Sequence, residues 1–101
     1  MSDALRERAV RLLARREHTR RELMSKLASP VESPQELSAV LDDLSSSGLL
    51  SDERYASSRL RARATRFGDA RLAHELRAKG VAEELVTAAL TAAEDELKRA
   101  Q

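Results

Sequence analysis

Apolar residues recur along the chain at spacings of three and four, which is the period of an amphipathic helix. Strong helix formers such as leucine, alanine, arginine and glutamate fill the segments, and no stretch alternates with the two-residue period of a strand. Residues that favour helix ends or loops, at His18-Thr19, Ser29-Pro30, Ser47-Gly48, Gly68-Asp69 and Gly80, divide the sequence into six segments. The pattern predicts an all-α protein of six helices.

Turn chemistry indicates where these helices begin and end. Thr19-Arg20-Arg21-Glu22 has the form of a capping box, so the second helix should begin at Thr19, after a first helix from about Asp3 to Arg16. Ser33-Pro34-Gln35-Glu36 is a second such box with proline at the first helical position, and Gly48 suits a left-handed helix end. The predicted core consists of Leu5, Ala9, Leu12, Leu13, Leu23, Met24, Leu27, Leu37, Val40, Leu41, Leu44, Leu49, Leu50, Tyr55 or Ala56, Leu60, Ala64, Phe67, Leu72, Leu76, Val86, Ala89, Leu90, Ala93 and Leu97.

The sequence repeats itself, which predicts two tandem three-helix units over residues 1–50 and 51–101. Arg11-Leu12-Leu13-Ala14-Arg15 returns as Arg59-Leu60-Arg61-Ala62-Arg63, an offset of 48, and Leu23 and Leu27 then return at an offset of 49. Helical units that repeat at such a period bury their apolar faces against neighbours and leave an extended surface. We expect that surface to bind a partner.

The near-neutral net charge of +1 conceals an alternation along the chain. Residues 1–27 hold 8 basic and 4 acidic side chains, and residues 54–80 hold 8 and 2. Residues 28–53 hold 0 basic and 6 acidic side chains, and residues 81–101 hold 2 and 5. A chain with this arrangement can present basic surfaces to a polyanion or to an acidic partner in spite of its small net charge.

Several classes of protein are disfavoured by composition. There is no cysteine, the two histidines stand alone, and no catalytic arrangement is recognisable, so we expect a non-enzyme without metal or cofactor. The two aromatic side chains, Tyr55 and Phe67, are too few for a base-stacking platform and are predicted to be core. No apolar run is long enough for a membrane helix, and the first residues lack the pattern of a signal peptide, so a cytoplasmic protein is expected.

Arginine rows are the candidate binding residues. Like charges at helical spacing cost a helix roughly 0.2–0.5 kcal/mol each, so their presence in both units suggests a use such as contacting phosphates. The alternative is a solvated helical face whose arginine stems cover apolar surface. The stronger candidates are Arg8, Arg11 and Arg15 on the first helix and Arg59, Arg63 and Arg66 on the fourth, and the weaker ones are Arg20, Arg21, Arg71, Arg77 and Lys79.

Four segments, in order, resemble the RecX family of recombination regulators. They are Leu12 to Leu27, Gly48-Leu49-Leu50-Ser51-Asp52-Glu53-Arg54-Tyr55-Ala56, Arg66 to Leu72, and Glu75 to Val81. The resemblance implies a helical-repeat protein that binds the RecA filament along its groove and limits recombinase activity, with some affinity for DNA. RecX proteins usually have three such repeats, so the resemblance implies a short form with two.

Other interpretations remain open at the level of sequence. The chain could be a free-standing tri-helical DNA-binding module, or an interaction protein for another acidic partner. Ala88, Ala89, Ala92 and Ala93 form a small-residue face on the sixth helix. A third repeat would cover that face in a longer relative, so the chain is expected to be a monomer or a weak homodimer through this helix.

Overall fold

A computed structural model describes the backbone of residues 3–28, 33–63 and 69–100. These residues form helices and short connections, with no strand among them, which confirms the all-α prediction. The helices are α1 Asp3–Arg15, α2 Arg20–Leu27, α3 Pro34–Ser46, α4 Asp52–Arg63, α5 Asp69–Ala78 and α6 Glu83–Ala100.

The predicted caps set the starts of α2 and α3. The Thr19 hydroxyl accepts a hydrogen bond from the Glu22 backbone N–H at 3.1 Å, and the Glu22 carboxylate accepts one from the Thr19 N–H at 3.1 Å. This is a complete capping box, in which each residue satisfies a backbone donor of the other. At α3 the Ser33 hydroxyl accepts from the Glu36 N–H at 3.3 Å, and Pro34 begins the helix.

Two glycines end helices in the same way. Gly48 and Gly80 have φ values of 84° and 82°. After α3 the Leu49 N–H donates to the Leu44 carbonyl at 3.0 Å, and after α5 the Val81 N–H donates to the Leu76 carbonyl at 3.0 Å. Glycine is favoured at such positions because a side chain strains the left-handed backbone that makes these bonds possible.

The chain divides into two compact units between Ser51 and Asp52, and each unit has its own apolar core. In the first unit, α1, α2 and α3 pack against one another. Its buried apolar residues are Leu5, Ala9, Leu23, Leu27, Leu37, Val40, Leu41, Leu44 and Leu50. Leu12 and Leu13 pack partly buried against this core.

Two positions of the predicted core, Met24 and Leu49, are wrong. Met24 is 45% exposed, because the short helix α2 buries only the stripe that Leu23 and Leu27 form, and Met24 lies beside that stripe. Leu49 is 43% exposed while Leu50 is buried. The turn that follows Gly48 therefore directs only the second of these two leucines into the core.

In the second unit, α6 packs against both α4 and α5. Its buried residues are Tyr55, Ala56, Leu60, Leu72, Ala73, Leu76, Val81, Val86, Ala89 and Ala93, with Leu90 packed against them. Ala64 and Phe67, predicted to be core, and the side chain of Leu97 lie outside the described residues.

The small-residue face predicted on α6 is not a single surface. Ala89 and Ala93 are buried in the core of their own unit, whereas Ala88 and Ala92 are exposed. The four alanines therefore do not form one open face, because neighbours in sequence divide between the inner and the outer side of the helix, whereas residues one turn apart share a side. A homodimer through α6 stays a prediction and has only the outer pair to use.

Within the part of the chain that the structure describes, no helix combines the length and the apolar character that crossing a lipid bilayer requires.

Candidate functional site

The turn between α1 and α2 contains a connected set of polar side chains. Glu22, which is nearly buried, completes the capping box and also accepts hydrogen bonds from Arg16 at 3.0 and 3.3 Å. His18 is buried in the same turn, and its two ring nitrogens lie 3.0 Å from the Arg16 carbonyl oxygen and 2.9 Å from the Lys26 Nζ. Arg16, His18 and Lys26 are thus linked through one imidazole.

The partners of His18 fix its tautomer. A lysine ammonium can only donate, so Nε2 accepts from Lys26 and Nδ1 carries the proton that it donates to the Arg16 carbonyl. Burial lowers the pKa of His18 below its ordinary 6.5, and the nearby charges of Arg16 and Lys26 lower it further, against the backbone bond to Arg16 and the charge of Glu22. The imidazole is therefore neutral at neutral pH.

Lys26 also faces three arginines of α1. Arg8, Arg11 and Arg15 line a shallow groove with Lys26, and the groove encloses about 480 Å³. Leu12 and Ala14 complete its lining. We call this feature the cationic groove, because all its charged lining residues are basic.

The arginines of the cationic groove are well placed to meet a partner. Arg11 is 75% exposed and has a weak contact of 3.7 Å with Glu7. Arg15 is exposed and Arg8 is half-buried. The three lie on one face of α1 at spacings of three and four residues, as the sequence predicted, and span about 10 Å along the helix.

The other candidates of the first unit have different surroundings. Arg20 of α2 is paired with Asp42 of α3 at 2.7 Å, and Arg6 of α1 is paired with Asp43 at 3.0 Å. The two neighbouring aspartates thus link α3 to both other helices of the unit, a role that the sequence did not reveal. Arg21 is exposed and borders a separate apolar hollow beside Met24.

In the second unit the main candidate is engaged within the chain. Arg59 donates to the Glu75 carboxylate at 2.6 Å, and the two side chains are only 32% and 18% exposed. Arg59 therefore differs from Arg11 in spite of the repeated sequence around them. The backbone of Arg63 belongs to α4, but its side chain and the whole of Arg66 lie outside the described residues.

The candidates around α5 are exposed. Arg77 donates to both carboxylate oxygens of Glu83, with contacts of 2.6 to 3.1 Å, across the turn between α5 and α6. This hydrogen bond from Arg77 lowers the pKa of Glu83, and the charge of Arg77 adds to the effect. Arg71 and Lys79 are exposed on the same helix and just after its end.

Sequence reasoning missed Lys26 and His18. The offset of 49 that relates Leu23 and Leu27 to Leu72 and Leu76 places Lys26 at the position of Glu75. Both leucine pairs are buried, so the register is supported by the structure. The sequence alone shows this reversal of charge, from lysine in the first unit to glutamate in the second. It distinguishes the first unit, where every charged side chain that lines the groove is basic, from the second, where Glu75 pairs with Arg59.

Within the described residues, no three histidine, aspartate or glutamate side chains are grouped so that they could hold a metal ion.

Comparison with known families gives matches in both units. A family model described as the first three-helix domain of RecX matches residues 6–44, and one described as the second three-helix domain matches residues 51–90. The first match falls within the first compact unit, and the second match falls within the second unit except for Ser51, the last residue of the first.

Individual relatives extend these matches over most of the chain. The regulatory protein RecX of Leptothrix cholodnii is 48% identical over 97% of this chain and 63% of its own length. Those of Chromobacterium violaceum and Halorhodospira halophila are 42% and 47% identical over 91% and 92% of this chain, and over 60% and 58% of their own lengths. The chain thus spans about six-tenths of the length of these curated relatives.

Proposed function

The chain belongs to the RecX family, and from this premise we propose that it binds the RecA–DNA filament and limits recombinase activity. The observation that carries the proposal is the match of both three-helix units to the family, because the relatives over that length are named regulatory proteins. The setting is then DNA recombination and repair in the cytoplasm.

The mechanism is occupancy without a chemical step. A basic surface of the chain lies against the filament, where it competes with duplex DNA or blocks the addition of RecA subunits. Arginine suits this task, because its planar guanidinium forms paired hydrogen bonds with phosphate or carboxylate groups and stays charged at all physiological pH values.

The first unit contributes most to this surface. Arg11 and Arg15 are exposed on α1, whereas Arg59 of α4 is engaged with Glu75. We therefore assign the principal contacts to the α1 row rather than dividing them equally between the two units.

The test is co-sedimentation of the full chain with RecA filaments preformed on single-stranded DNA, together with an assay of strand exchange. We expect the filament to capture the chain and the chain to inhibit strand exchange. The double substitution Arg11→Ala and Arg15→Ala should weaken this inhibition, since it preserves the helix but removes two cations. RecA without DNA, and DNA without RecA, are the controls. Failure of the filament to capture the unchanged chain would refute the proposal.

A free-standing DNA-binding module is the second candidate, and the cationic groove is the observation that favours it. This candidate predicts that the chain binds duplex DNA equally well whether or not RecA is present, with an affinity that falls as salt rises. Binding to duplex DNA in the presence and in the absence of RecA, measured beside the capture by filaments, separates the two candidates.

A further inference from the structure

We propose that the cationic groove of the first unit is a phosphate-binding site for nucleic acid, and that buried His18 is the positioning residue that holds Lys26 in it. The proposal takes its biological setting from the function proposed above, but duplex binding by the groove does not depend on RecA.

The first argument is the convergence of charge from two helices. Arg8, Arg11 and Arg15 come from α1 and Lys26 from α2, so the packing of the two helices, and not a single charged face, assembles the groove. A cluster of cations repels itself and is unfavourable without an anion. A bound phosphate chain removes that repulsion.

The second argument is the difference between the two units at one position. Glu75 of α5, which corresponds to Lys26, binds Arg59 at 2.6 Å and so neutralises that arginine on the facing helix α4. In the first unit the same position holds a lysine, which adds to the charge of the facing arginines instead of cancelling it. The α1–α2 face therefore attracts an anion, whereas the ion pair on the α4–α5 face holds those two helices together.

The third argument is the support that Lys26 receives. A lysine side chain on a helix surface has many rotamers, so it contributes more to binding when its position is already restricted. The Nζ of Lys26 donates to the Nε2 of buried His18 at 2.9 Å, which keeps the ammonium at the edge of the groove. Two further N–H donors of the ammonium remain for a ligand.

The chemistry of the lining selects the phosphodiester backbone as the occupant. The lining residues supply cations and two small apolar contacts but no aromatic ring for stacking bases, so the groove reads charge and not sequence. The row of arginines extends for about 10 Å, which is long enough to meet more than one phosphate of a strand.

The test compares two substitutions that change the net charge equally. Lys26→Glu gives the first unit the residue type of the second, and Arg61→Glu reverses an exposed charge on α4 outside the groove. Binding of the full-length variants to a short fluorescent duplex of mixed sequence is measured by anisotropy over a range of salt concentrations. We expect a large loss for Lys26→Glu and a small one for Arg61→Glu.

The salt dependence counts the contacts. Replacement of Lys26 by alanine should lower the slope of log affinity against log salt by about 0.9, the value for one lost phosphate contact. Equal losses for Lys26→Glu and Arg61→Glu, or an unchanged slope for Lys26→Ala, would show that the groove is not the site.

The role of His18 is tested through Lys26. His18→Leu removes the acceptor for the lysine and should weaken duplex binding, whereas His18→Gln keeps an acceptor near the position of Nε2 and should restore most of it. In the Lys26→Ala background, His18→Leu should have no further effect on affinity, since both substitutions remove the same contact. A histidine that serves only the fold would instead change stability alone, and an additive effect on affinity would overturn its positioning role.

The same variants separate this inference from the proposed function. If the unchanged chain binds filaments but no duplex, the groove assignment is wrong and the proposed function stands. If it binds duplex through the groove but no filament, the groove assignment stands and the proposed function is wrong. If Lys26→Glu abolishes capture by the filament while duplex binding is intact, the groove contacts an acidic protein surface, which also overturns the assignment to nucleic acid.

Discussion

His18 illustrates how one buried side chain determines the behaviour of the charged groups around it. Its imidazole is neutral and joins the Arg16 carbonyl to the Lys26 ammonium. A proton added at Nε2 would turn this acceptor into a donor that faces the ammonium. The turn between α1 and α2 therefore depends on the imidazole staying unprotonated.

The consequence is a dependence of stability on pH. Burial holds the folded-state pKa of His18 below 6.5, the value in the unfolded chain. At pH values between these two pKa values, the unfolded chain therefore binds a proton that the native chain lacks. This contribution is complete above pH 6.5 and is lost as the pH falls below it towards the folded-state pKa. Urea denaturation followed by circular dichroism should show this decline.

Carboxylates also titrate at low pH, so the comparison with His18→Gln isolates the histidine. The variant should lose less stability than the unchanged chain over the first part of the decline just below pH 6.5. Parallel curves for the two proteins would contradict the assignment.

At the scale of elements, ion pairs between helices differ in value according to their burial. Arg59–Glu75 and Arg77–Glu83 have the same shortest distance of 2.6 Å. The first pair is mostly buried between α4 and α5, whereas both members of the second are more than half exposed. Water screens the second pair more strongly.

Double-mutant cycles with alanine should therefore give a coupling energy of about 1 kcal/mol for Arg59 and Glu75. The cycle for Arg77 and Glu83 should give a smaller value, and high salt should reduce it further. Unfolding free energies from denaturant titrations of the single and double variants measure both. Similar couplings would mean that burial does not set the strength of these pairs.

The extent to which the sequence predicted each element has a physical reason. The helices, their caps and the two glycine turns depend on residues within a few positions of one another, so Thr19, Ser33 and Gly48 could be assigned directly. The width of a buried stripe depends on which helices pack together. The spacing of apolar residues alone therefore predicted that Met24 and Leu49 are buried, although both are exposed.

The candidate site was less predictable for the same reason. Arg11 and Arg59 stand in matching sequence, yet Arg59 meets a carboxylate 16 positions away. The partners of Asp42 and Asp43 are 22 and 37 positions away, respectively. Such contacts are made between helices and are invisible to local pattern. The arginine row of α1 was found because it lies on one helix, and Lys26 was missed because it joins that row from another.

At the scale of the whole molecule, the two separate cores predict that a substitution in one core lowers amide protection mainly in its own unit. Leu27 and Leu76 correspond in the two units, and both are fully buried. Each substitution to alanine should cost about 2–5 kcal/mol through lost burial and the cavity that it leaves. Amide hydrogen exchange should place the loss of protection for Leu27→Ala mainly in residues 3–50, and for Leu76→Ala mainly in the second unit.

The two variants serve as controls for each other, since they remove the same atoms from equally buried positions. An equal loss of protection in both units for either variant would show that the units unfold together.

The burial of His18 also gives the protein a natural pair of spectroscopic reporters. The chain has two histidines, one in each unit, and His74 on α5 is exposed. In a proton NMR spectrum the imidazole of His74 serves as an internal reference in contact with solvent, while the resonance of His18 senses the ammonium beside it. Occupation of the first unit by a ligand can thus be followed in the unlabelled protein, without a substitution or an attached dye.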